Sequence, residues 1–108
     1  MESFQDKVKR LAAEGKVRVS EHGYDEMAED SLSAREIVSG IPAGIVIEEY
    51  PDYSKGPCAL FLQQDRRGGP VHVVWGIPKG YDEPVVMVTA YRPDPKRWDR
   101  TYRMRLKS

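Results

Sequence analysis

The feature that most constrains this chain is a change of hydrophobic period at Gly40 and Pro42. Before that point apolar residues recur at helical spacing; after it they cluster in short β-rich runs. Phe4, Val8, Leu11 and Ala12 fall on one helical stripe that Gly15 ends, predicting an amphipathic helix over residues 2–14. Val17 to Val19 reads as a short extended piece. Ser20 then caps a second helix whose Tyr24, Met27 and Ala28 share a face. Ser33 and Glu36 have capping-box spacing and open a third helix through Ile37 and Val38, stopped by Gly40 and Pro42.

Four runs follow: Ile45 to Tyr50, Cys58 to Gln64, Val71 to Ile77 and Val85 to Tyr91. The separators PDYSKGP, DRRGGP and PKGYDEP are turn chemistry of hairpin length, so the runs should form an antiparallel meander. A last alternation, Tyr102, Met104 and Leu106 against Arg103, Arg105 and Lys107, fits an edge strand or a tail lying on the sheet. The expected class is α+β, with N-terminal helices on one face of a four- to five-stranded antiparallel sheet. Residues 1–108 should make a single domain.

If helices cover one face, the other is free for function or for a partner. Val73 and Trp75 look like core, which puts His72 on the open face by strand alternation. In VVMVTAY, either Val86, Val88 and Ala90 or Val85, Met87, Thr89 and Tyr91 face the core. A one-residue change of register decides whether His72 and Tyr91 share a face.

Net formal charge is zero, yet residues 92–107 carry seven basic and two acidic residues. A basic end on an acidic body suits one oriented contact better than general adhesion to nucleic acid. Cys58 is the only cysteine, so no internal disulfide forms and a reducing compartment fits. There is no leader-like start and no apolar stretch of membrane-spanning length, so a cytoplasmic protein is expected.

His22 stands where the first extended piece meets the second helix, with Asp25 and Glu26 one turn on. No Cys-Cys or paired-His spacing supports a metal site, and no cofactor motif is present. Cys58 lies inside an apolar run and reads as packing material. The segment VTAYRPDPKRW is richer. Two prolines carry the chain out of the sheet after Tyr91 and Arg92. Trp98 and Tyr102 then stand among Arg97, Arg100, Arg103 and Arg105. Flat rings stack on unpaired bases and guanidinium groups hold phosphates, so Arg92, Arg97, Trp98, Arg100, Arg103 and Arg105 are the candidate RNA-binding residues; the alternative is a tail whose Trp98 anchors it against the body.

Taken together, VSEHGYDEMAEDSLSAREIVSGI, VIEEYPD, GGPVHVVWGI and VMVTAYRPDPKRW resemble the bacterial family known as domain of unknown function 4258. That family looks related to toxin ribonucleases of the RelE and BrnT type, which set helices against an antiparallel sheet. The resemblance carries the family's histidine after the first strand onto His22, its middle-strand histidine onto His72, and its strand-closing tyrosine onto Tyr91. Glu26 stands where the family's helix has arginine, which speaks against phosphate binding by that helix.

The resemblance implies a toxin-like, metal-independent endoribonuclease, with RNA as substrate and an antitoxin or another protein as partner. In such a reaction a base takes the ribose 2′-OH proton, cations stabilise the phosphate, and an acid protonates the leaving 5′-oxygen. His22 and His72 are candidates for base or acid, Tyr91 for acid, and Arg92 or Arg97 for the phosphate clamp. The alternative is a non-catalytic module that binds protein or RNA through the open sheet face and the basic C-terminal segment.

Overall fold

The computed structural model describes residues 2–107. Three helices, α1 (Phe4–Ala13), α2 (Glu21–Glu29) and α3 (Ala34–Ser39), are each opened by a serine whose hydroxyl accepts a backbone N–H three residues on. Ser3, Ser20 and Ser33 thus satisfy N–H groups that have no partner inside the helix. Glu36 does not complete the expected capping box. Its carboxylate accepts the Arg66 N–H at 3.0 Å instead, tying α3 to the sheet.

The strands are β1 (Val17–Val19), β2 (Ile45–Tyr50), β3 (Cys58–Gln64), β4 (Pro70–Gly76) and β5 (Val85–Tyr91). Their order across the sheet is β1-β5-β4-β3-β2. The meander β2 to β5 is antiparallel as expected, but β1 joins β5 in parallel, so the five-stranded sheet is mixed. Hairpin chemistry reports on the meander alone, because β1 returns to β5 from far along the chain. Among the described residues no helix is long and apolar enough to cross a membrane.

One sheet face packs on the helices. Phe61, Val71, Val73, Trp75, Val85, Met87 and Ala90 meet Val8, Leu11, Met27, Ile37 and Ile41 in a single core. Trp75 is fully buried and donates its indole N–H to Gln63 Oε1 at 2.7 Å. Gln63 in turn donates to the Ile37 carbonyl at 2.8 Å, so two buried polar groups complete each other.

The register of β5 is resolved by a bulge. Val74 pairs with Thr89 but Trp75 pairs with Met87, leaving Val88 as the extra residue. The core set is therefore Val85, Met87 and Ala90, which neither simple alternation contained. Past the bulge, Tyr91 pairs directly with His72, and the two share the face away from the helices.

That second face is not open along its whole length, which corrects the expectation of a free face. Residues 93–107 cross it as a tail. Trp98 and Arg105 form an isolated bridge, Leu106 N–H donates to the Arg97 carbonyl at 2.8 Å, and Asp99 N–H to the Met104 carbonyl at 2.9 Å. His72 is buried beneath this small hairpin against its Trp98, and these two and the buried Leu60 lie outside the helix-side core.

Candidate active site

The site is built outward from His72. Its Nε2 lies 2.8 Å from the Tyr102 carbonyl, and its Nδ1 is buried without a partner. A carbonyl only accepts, so Nε2 carries the hydrogen, and the buried, unpartnered Nδ1 favours the neutral ring. Burial holds its pKa below the ordinary value of 6.5, against the opposing pull of the Tyr102 carbonyl. Trp98 packs edge-on to the imidazole with centroids 4.3 Å apart, and Tyr91 does so at 5.5 Å. His72 has no exposed surface, so it cannot meet a substrate in this arrangement. Its role is to position the two rings around it.

Trp98 passes that order on. The Arg105 guanidinium stacks over the indole, 4.7 Å from the ring centroid. It donates to both carboxylate oxygens of Glu48, at 2.8 and 3.0 Å. The Tyr50 hydroxyl donates to the same carboxylate. Glu48 and Tyr50 lie two residues apart on β2, opposite Leu60 and Cys58, which places both on the second face. Arg105 keeps the Glu48 carboxyl below its usual pKa, and Glu48 raises that of Arg105. Partial burial, aided by the bond to Glu48, raises the Tyr50 hydroxyl. Burial does the same for Tyr91, whose hydroxyl also feels Arg105 and Glu48. Unlike His72, the Arg105 side chain is well exposed, at 61%.

The structure thus joins Tyr91, His72, Trp98 and Arg105 into one chain of contacts and adds Glu48 and Tyr50, which the sequence reading missed. The available signal was alternation in IVIEEY, which sets Glu48 and Tyr50 on one face. Nothing local told that face from the core face.

A family model described as "Domain of unknown function (DUF4258)" matches residues 19–92. The chain belongs to that family. No curated protein and no solved structure matches it. The match ends at Arg92, so Trp98 and Arg105 lie beyond the segment that defines DUF4258.

The other candidates of this DUF4258 chain are placed differently. His22 is largely exposed on α2, 3.3 Å from Glu26. It lines a groove with Gly76, four residues along β4 from His72 and therefore roughly 13 Å away in an extended strand. The fold does not bring the two histidines together. Arg92 is engaged structurally, donating to Asp65 at 2.8 Å and to the Asp30 carbonyl and carboxylate. It fastens the end of β5 to α2 and to the β3–β4 turn, so it is not a free phosphate clamp. Trp98 is buried, and its ring is not available to stack on a base. Arg97, Arg100 and Arg103 are exposed on the hairpin. Cys58 is buried, and burial raises its thiol pKa, so its nucleophilicity is low.

Proposed function

We propose that this protein cleaves RNA without a metal, as a toxin-like endoribonuclease, with Glu48, Arg105 and Tyr91 as the reacting set. The observation that carries the reading is the Glu48–Arg105 pair, joined by Tyr50 on the sheet face that also carries Tyr91, whose hydroxyl feels both charges. The layout of helices on one side of a mainly antiparallel sheet, with function on the other, supports the likeness to RelE- and BrnT-type ribonucleases.

In the resting protein Arg105 holds the Glu48 carboxylate ionised and makes it a weak base. A substrate phosphate competes for the same guanidinium, in the bidentate geometry that arginine offers equally to phosphate and carboxylate. Once the phosphate takes Arg105, Glu48 loses the partner that lowers its pKa and becomes a stronger base beside the substrate. Glu48 then takes the 2′-OH proton, the 2′-oxygen attacks phosphorus, and the bond to the 5′-oxygen breaks. Tyr91, kept protonated by burial, gives its proton to that oxygen. Arg105 neutralises charge on the crowded phosphate. Tyr50 aims the carboxylate, while His72 and Trp98 hold Tyr91 and Arg105 in place. The test is the product ends from a defined RNA incubated with purified protein and a chelator. This chemistry leaves 2′,3′-cyclic phosphate and 5′-hydroxyl ends; 3′-hydroxyl and 5′-phosphate ends would reject it.

A second reading, a binding module without catalysis, is favoured by the exposed Arg97, Arg100 and Arg103 beside exposed Met104 and Leu106. RNA retention with no cleavage under any condition would select it.

A further inference from the structure

We propose that the groove beside Tyr50 is a binding site for one unpaired nucleobase of single-stranded RNA, adjoining the phosphate held at Arg105. The choice of ligand rests on the RNA reading above. The groove has a volume of about 420 Å³ and lies where the β2–β3 and β4–β5 loops meet the second sheet face. Cys58, Gly76, Val86 and Val88, from three adjacent strands, form its floor. Gly76 keeps that floor low: a Cβ there would stand 3.1 Å from Cys58 Cβ and 3.5 Å from a Val88 methyl. A level apolar floor suits the face of a flat ring.

The walls add what a nucleotide needs beyond apolar contact. Tyr53 is half exposed on the β2–β3 loop and offers a stacking ring. Lys55 lines the same wall and enters none of the ion pairs among the described residues. An aliphatic ligand has no use for that ammonium, whereas an aromatic ligand carrying phosphate uses both wall and floor. His22, whose Nε2 lies 3.3 Å from Glu26, also lines the groove.

The wall is built firmly. Gly56 has φ +129, and a Cβ there would overlap the Ile77 carbonyl. This close approach lets Ile77 N–H donate to the Pro57 carbonyl at 3.0 Å and Lys79 N–H to the Lys55 carbonyl at 2.9 Å. The position is also apt. Tyr50 pairs directly with Cys58 of the floor, so the groove begins where the Glu48–Tyr50–Arg105 set ends.

The test is amide NMR on the full chain titrated with adenosine and uridine 5′-monophosphates, with inorganic phosphate as control. The nucleotides should shift Gly76, Val86 and Val88, and phosphate alone should not. Lys55→Ala should weaken nucleotide binding by about tenfold, through loss of one charged contact. Val86→Phe, which fills the floor, should abolish it. Lys55→Ala changes only an exposed loop side chain, so its result stands even if Val86→Phe folds poorly. Unshifted groove amides, equal shifts with inorganic phosphate, or unchanged binding in Lys55→Ala would overturn the proposal. RNA cleavage by the wild type is scored in parallel. Cleavage without groove shifts removes the groove alone; groove shifts without cleavage remove the catalytic reading alone.

Discussion

At the scale of the residue, one buried imidazole and one partly buried ion pair hold the site together. His72 is neutral and its pKa is depressed by burial, so the unfolded chain binds its proton more tightly than the folded one. Its stabilising contribution is complete above about 6.5 and is lost as pH falls from there toward the lower folded value. Glu48, depressed by Arg105, contributes stability above its ordinary value of 4.5 that disappears as pH falls through its folded value. Both effects have the same sign. The urea midpoint should therefore fall between pH 7 and pH 5, before Glu48 titrates, and His72→Phe should flatten that part of the profile. A midpoint that rises on acidification, or the same slope in His72→Phe, would show that His72 is not the neutral, buried group described here. Glu48→Gln should behave otherwise. The pair is screened by solvent on the Arg105 side, which is 61% exposed, so its worth to stability is about 1 kcal/mol. The variant should lower its neutral-pH midpoint only slightly while losing function.

At the scale of the element, the legible and the illegible part company at the bulge. Serine caps, the Gly40–Pro42 stop and three hairpin turns are local signals, and each element formed within a residue or two of where those signals put it. Trp75 in the core was legible for the same reason. Trp75→Ala should lower stability by about 3–5 kcal/mol, read as a urea midpoint. Gln63→Leu should cost about 1–3 kcal/mol, chiefly for the Trp75 N–H it strands, since the Ile37 carbonyl keeps the Gly40 N–H. An unaltered midpoint in either variant would contradict the packing described. By contrast, the pairing of β1 with β5 and the extra residue at Val88 depend on distant segments, which no local period reports. The sharing of a face by His72 and Tyr91 hung on that bulge. For the same reason Arg92 reads as an RNA contact although the folded chain uses it to fasten β5, and of the two readings of Trp98 the buried ring fits the tail anchor.

At the scale of the molecule, the C-terminal hairpin both covers part of the second face and supplies it with Arg105. Its outward arginines give a test independent of catalysis. If Arg97, Arg100 and Arg103 contact single-stranded RNA, about three released counterions should give a slope of log K against log salt near −2. Replacing two of them by glutamine should flatten it by roughly one unit, with no change in the unfolding midpoint. Binding indifferent to salt would remove them from the interface. The central claim is that Glu48 and Arg105 act together on a phosphate, and the most direct measurement is the single-turnover rate of RNA cleavage in chelator. The wild type is compared with Glu48→Gln, Arg105→Lys and the double variant. Cleavage by the wild type is expected, with losses on the order of 10²–10⁴-fold in each single variant. The double variant should be little worse than either, because groups that act as a unit are not additive. Wild-type cleavage that survives both single changes, or no cleavage of any RNA by a folded wild type, would contradict it.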